Sequence, residues 1–381
     1  MLARQAALLL LPALTLALVA GASCSSSNPS DTTDASVPSV DASAADAQQP
    51  ADADGAASAD AARDAPIDAS ADAPVPPAMA PCPTTGRGAI TLPPGATCVA
   101  LTPAATGADP AGANAGDPHY ALVPAGAGSG ALVLFFNGSG GSPAGAIGDL
   151  EKNVYTAALA EGHHVLALSY RSDDAIGRLC PDDDPCFLPT RTAIVTGKPQ
   201  AGAAAAVASI GLTEGIYART TLALRGLARG ASTASFAQFV TGAADFGEAI
   251  VWSRVIVAGH SQGGGHAALL GRLNAVRRIV PLSSPCDSVG ETPATWLTYD
   301  PTTWKTNPAT AAYVFSALTT FGPGGRPTGG DTICSAHAAA WRAMDVDPSR
   351  AFDDAFVCGS SPHAATLGCV ENFDRLREVF R

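Results

Sequence analysis

The sequence predicts an α/β domain, a mostly parallel sheet with helices on both faces, preceded by a disordered tether. Three observations predict it. From about residue 115 to the C-terminus, apolar runs of strand length alternate with segments of helical period. One such run, "RVIVA" at 254–258, enters a glycine-rich turn and leaves it as a small-residue helix. Ahead of residue 81 the composition shifts to Ala, Asp, Ser and Pro, which leaves almost nothing to bury.

In chain order, "MLARQAALLLLPALTLALVAGASC" has one basic residue, Arg4, then an apolar stretch and small residues, the pattern of a secretory signal over 1–23. The stretch falls short of a comfortable membrane span of about 20 residues. Ala20-Gly21-Ala22 fits an ordinary cleavage site, whereas "GASC" resembles a bacterial lipoprotein box that leaves Cys24 lipidated, with Gly21 departing from the usual Leu. The lipoprotein reading is preferred. Ser25 and Ser26 carry no Asp retention signal, so the expected place is the cell envelope, at the outer membrane of a diderm bacterium, with plain secretion as the alternative.

Residues 24–80 read as a disordered linker. They hold ten Asp against one Arg, and so carry nine of the twelve net negative charges of the chain. The acidity therefore belongs to the tether and says little about a substrate. As a flexible chain it would span roughly 40 Å, a spacer between a membrane surface and a domain.

Residues 81–381 are of a size that one α/β domain can reach. Beyond Cys24 there are eight cysteines, an even number that suggests disulfides in an exported chain. Short separations favour Cys82 with Cys98, Cys180 with Cys186, and Cys358 with Cys369. No cysteine or histidine spacing points to zinc, and the absence of a basic patch with interleaved aromatics argues against nucleic acid.

Within the domain, 119–124 and 131–138 read as two strands joined in a hairpin by "AGAGSG". Residues 163–170 are another strand, with an amphipathic helix ahead of it in 146–162. A longer helix is expected in 211–230. A buried strand in 254–259, a helix from 263 and strands in 276–284 and 312–320 follow, then helices in 337–344 and 370–380. The segment 172–211 is too long for a simple connection and reads as an ordered insertion, a wall or lid of a cleft.

The turn after "RVIVA" is Gly259-His260-Ser261-Gln262-Gly263, a G-x-S-x-G motif set between strand and helix. In that context it is the nucleophile elbow, and residues 115–381 resemble the α/β-hydrolase superfamily, with "GHSQGG" similar to secreted lipases and esterases. The resemblance implies Ser261 as nucleophile. It implies an oxyanion site from the N–H of Gln262 and, through "FFNGSGGSP", the N–H of Ser139, with Gly138 as the alternative. The order serine, acid, histidine selects His363 in "CGSSPHAATLGC" over His266 and His337, which read as helical. Asp331 is the expected acid and Asp287 the runner-up.

The implied reaction is acyl transfer through Ser261, with His363 as base, Asp331 orienting it, and no metal or organic cofactor. A carboxylic ester hydrolase, monomeric and acting on a small-molecule or polymeric ester, is the expectation. A serine peptidase or amidase and a polymer esterase are rivals on the same scaffold, the latter with Trp296, Tyr299 and Trp304 as candidate surface aromatics. A non-catalytic surface binding module is the rival of another class.

Overall fold

The computed structural model describes residues 77–381, apart from 113, 127–129, 146–147, 322–326 and 357–360. The signal peptide, Cys24 and nearly all of the expected linker lie outside the described residues. So does Cys358.

A ten-stranded sheet forms the centre, in the order β1-β2-β3-β5-β4-β6-β7-β10-β11, with β12 also on β10. The strands are β1 Met79–Pro81, β2 Thr97–Leu101, β3 His119–Val123, β4 Leu132–Phe136, β5 His164–Leu168, β6 Val255–His260 and β7 Arg278–Leu282. After a small β8–β9 pair, Ser288–Val289 with Thr292–Pro293, come β10 Val314–Phe321, β11 Pro327–Gly329 and β12 Ala351–Phe356. β1, β2 and β3 are antiparallel, whereas β5, β4, β6, β7, β10 and β12 run parallel. β1 begins two residues ahead of the expected linker boundary and pairs with β2.

The central strands read as apolar runs because both faces are covered. Leu132, Leu134 and Phe136 of β4 enter one core, shared with the helices Asp184–Thr196, Ile216–Ala228 and Gln262–Leu273. Val133 and Phe135 enter the other, shared with the helix Gly148–Ala160 and the C-terminal helix Phe373–Phe380. The C-terminal helix shows the rule plainly, with Leu376, Val379 and Phe380 buried and charged residues between them.

The expected hairpin of β3 and β4 does not form. β5 lies between them, antiparallel to β3 and parallel to β4. The helix Gly148–Ala160 returns the chain so that β5 takes the position beside β4, register Val133 to Val165. A glycine-rich connection of strand-to-strand length signals a turn but cannot say which strand is the neighbour.

The insertion is ordered. It contains the one-turn helix Ile176–Leu179 and the helix Asp184–Thr196, joined by a Cys180–Cys186 disulfide. Ile176, Phe187, Ile194, Val207 and Ile210 anchor it in the first core.

Candidate active site

Ser261 follows β6 with φ +53° and ψ −121°, a region in which a residue with a side chain is strained by about 1–3 kcal/mol. The surroundings hold it there. Its N–H donates to Leu282 O at 2.9 Å, and its carbonyl accepts from the Ser284 hydroxyl at 2.7 Å and from Gly264 N at 3.1 Å. A Cβ on Gly259 would lie 2.3 Å from the Gly263 carbonyl carbon, and one on Gly263 would lie 2.1 Å from Phe136 O. Neither glycine can carry a side chain if strand and helix are to meet this closely.

Gln262 opens the helix Gln262–Leu273. Its backbone N–H belongs to the first turn, where no intrahelical acceptor exists and the helix dipole favours negative charge. The loop after β4 packs onto this turn, since a Cβ on Gly138 would lie 3.2 Å from Ser261 Cβ. Ser139 donates its hydroxyl to Gln262 Oε1 at 2.8 Å. Ser139, Ser261 and Gln262 line one cleft of about 220 Å³.

His363 lies in a short 3-10 turn, Pro362–Ala364, and is buried. Its Nδ1–H donates to Asp331 Oδ2 at 2.7 Å, which leaves Nε2 as the acceptor. Asp331 Oδ1 accepts from Ile333 N at 2.9 Å and Cys334 N at 3.4 Å. Burial pushes the Asp331 carboxyl up, but the hydrogen bond and charge of His363 and the Ile333 N–H outweigh it, and the carboxyl lies below its ordinary range. Asp331 is thus an ionised partner for an imidazole at neutral pH.

The two halves of the site meet through His260. Its Nε2–H donates to the carbonyl of His363 at 2.9 Å, and the rings lie 4.9 Å apart. Burial first, and then the charge of His363, lower the His260 pKa to about 3, so it serves as a neutral donor. Among the described residues the Ser261 hydroxyl and His363 share no hydrogen bond.

Asp287, the alternative acid, is committed elsewhere. Arg191 takes both of its oxygens, Nε to Oδ2 at 2.6 Å and Nη2 to Oδ1 at 2.5 Å, and Trp296 Nε1 adds a bond of 2.9 Å. His266 is buried against Tyr170, and burial lowers its pKa well below the ordinary value. His337 opens the helix His337–Ala343 and bonds Ser316 Oγ at 2.9 Å.

Sequence reasoning missed three supports. The Cys286–Cys334 disulfide ties the loop after β7 to the loop of Asp331. Its separation of 48 residues hid it behind the shorter pairings, of which Cys82–Cys98 and Cys180–Cys186 are present. Cys369 is disulfide-bonded, with its expected partner outside the described residues. Arg191 donates Nη1 to Gln262 O at 3.0 Å beneath the elbow helix, and a Cβ on Gly265 would lie 2.3 Å from its Nη2. The Gln262 side chain accepts Ile176 N at 3.1 Å as well as the Ser139 hydroxyl, so it joins the insertion to the loop after β4. The glycine run and the "HSQ" triplet were visible signals, but not their distant partners.

Asp331, Cys334 and His363 bring potential metal-ligand atoms within 4.8 Å of one another. The Cys334 sulfur is bonded to Cys286 and is no thiolate, and the other two groups are engaged with each other, so the trio does not fit a metal centre. Trp296 and Trp304 are buried, and Tyr299 packs edge-on to Trp304 at 6.3 Å, so these aromatics form no exposed platform.

No protein-family model and no curated protein matches the chain. Among solved structures it is similar to a dienelactone hydrolase from Anabaena variabilis, at 13% identity over 69% of this chain and 88% of that one, TM-score 0.35. It is also similar to a hormone-sensitive lipase from a metagenome library, at 14% identity over 69% and 80%, TM-score 0.34.

Proposed function

We propose that this protein is a serine hydrolase that cleaves carboxylic esters through an acyl-enzyme on Ser261. The observation that carries the reading is the His363–Asp331 bond of 2.7 Å, with the His363 carbonyl bonded to His260, the residue that precedes a serine held at φ +53°. A strained serine backbone after a strand and a buried, ionised acid on an imidazole both support this reading, since a hydroxyl nucleophile needs a base and the base needs an orienting acid.

In the reaction the Ser261 oxygen adds to the ester carbonyl while His363 Nε2 takes its proton. Negative charge collects on the carbonyl oxygen, opposite the N–H groups of Gln262 and Ser139. Donors in such positions are worth roughly 3 kcal/mol each in the transition state. The imidazolium, stabilised by Asp331, gives its proton to the leaving alkoxide, and the alcohol departs. Water then attacks the acyl-enzyme by the same route, releasing the acid and restoring Ser261.

The Ser284 hydroxyl supports this arrangement. It donates to the carbonyl of the same peptide whose N–H, on Gln262, faces the developing charge. A hydrogen bond at one end of a peptide strengthens the donor at the other. Three disulfides among the described residues fit an oxidising compartment, and attachment to the cell envelope through Cys24 remains part of the proposal, on the sequence of residues 1–24.

Hydrolysis of short and long p-nitrophenyl esters by residues 77–381 tests the reading, with Ser261→Ala as control. Turnover that disappears in the variant is the expected result. Turnover that persists in Ser261→Ala would overturn the assignment of the nucleophile.

A further inference from the structure

The cleft beside Ser261 carries three charged side chains, Asp287, Arg191 and Arg178. Two of them cancel. Asp287 and Arg191 form a buried ion pair in which both carboxylate oxygens are engaged, and the Arg191 guanidinium also donates through Nη1 to Gln262 O. Asp331, next to the cleft, is held by His363. Arg178 has no acceptor for its guanidinium among the described residues, and it is exposed at the cleft wall. None of the acidic residues of the insertion lines the cleft, and Asp173 and Asp184 are bonded away from it, to Asn114 N and to Thr295. Among the residues that line the cleft, Arg178 is thus the charge left without a partner, although the chain as a whole carries net charge −12.

The backbone that carries Arg178 is tied to the residue after the serine. Arg178 sits on the single-turn helix Ile176–Leu179, whose first N–H donates to the side chain of Gln262. The buried Ile176 side chain and the Cys180–Cys186 disulfide secure both ends of that turn. Also lining the cleft are Ile333 and the Cys286–Cys334 disulfide, which are apolar.

We propose that Arg178 is a specificity residue, and that the preferred ester is a small one bearing a carboxylate, which Arg178 binds while the ester carbonyl lies at Ser261. This deepens the serine-hydrolase reading and rests on it. A planar guanidinium matches a carboxylate in two parallel hydrogen bonds, and so gives orientation as well as attraction. The volume of about 220 Å³ leaves room for a compact substrate. Arg178 takes no part in bond making or breaking.

The test uses matched aryl esters that carry either a ring carboxylate or the carboxamide of the same shape, placed once in the acyl group and once in the leaving group. The wild type should favour the carboxylate in at least one pair by about fivefold to tenfold in kcat/KM, less at high salt. In Arg178→Gln the preference should vanish while turnover of the carboxamide stays. In Arg178→Glu the carboxylate should become the poorer substrate. Equal turnover of carboxylate and carboxamide by the wild type, or a preference that survives Arg178→Gln, would overturn the proposal and leave the hydrolase reading intact. Failure to turn over any ester, charged or neutral, would overturn both.

Discussion

Arg191 and Asp287 form an ion pair beneath the elbow helix, with both side chains essentially inaccessible to solvent and the closer contact at 2.5 Å. The pair separates two aspartates that the sequence leaves as rivals. Asp287 is part of the frame, and Asp331 is the residue that holds an imidazole.

The contrast predicts opposite phenotypes. Asp287→Asn leaves Arg191 charged and buried without its partner, and should cost about 3–5 kcal/mol of stability in denaturant unfolding. Asp331→Asn should keep the fold but lower kcat by about 10³–10⁴, as a histidine held in the wrong tautomer does. Equal stability of the two variants would contradict the division of roles.

His260 is predicted to act on rate through His363. His260→Ala removes the donor to the His363 carbonyl, a contact worth about 0.5–1.5 kcal/mol. Steady-state kinetics should show kcat falling several-fold with KM little changed. A change confined to KM would place His260 in substrate binding instead.

Acid should destabilise the fold ahead of the ordinary carboxylate range. Burial lowers the pKa of His119 and His260 to about 3, and of His164 to about 4, from an ordinary 6.5. These groups stay neutral when folded while the unfolded chain takes up protons. Their contribution is therefore full above pH 6.5 and is lost progressively as pH falls toward 3–4. Asp331, whose carboxyl is depressed, loses its contribution only below its unfolded value, at about pH 4 and lower. Urea midpoints should be nearly level from pH 7.5 to about 6.5 and fall from there to pH 4.5. A flat profile would show that these histidines are not buried as neutral groups.

The Cys286–Cys334 bond should matter to both stability and rate, because it fastens the loop that carries Asp331. Replacing both cysteines by alanine should cost about 2–5 kcal/mol. At temperatures where the variant is still folded, kcat should fall more than for Cys82→Ala/Cys98→Ala, which opens a bond between β2 and the segment after β1. Equal kcat in the two double variants would mean that the bond does not position the acid.

Much of the fold and the placement of the candidate site residues were legible in the sequence, for physical reasons that differ by element. β4, β5 and β6 read clearly because burial on both faces makes them apolar throughout. β12 was missed because Asp353 and Asp354 interrupt "AFDDAF", and its strand identity comes from pairing with β10. Ser261 was legible because a sharp strand-to-helix turn demands glycines at fixed offsets. The Arg191–Asp287 pair was not, since residues 96 apart in sequence meet only once the insertion folds back on the elbow helix.

Labelling with a fluorophosphonate probe tests the central claim most directly, because it requires an activated serine but no knowledge of the substrate. Wild-type residues 77–381 should label at Ser261, located by peptide mass spectrometry, and both Ser261→Ala and His363→Ala should lose the label. A folded wild-type protein that does not react, or that reacts equally after His363→Ala, would contradict the account.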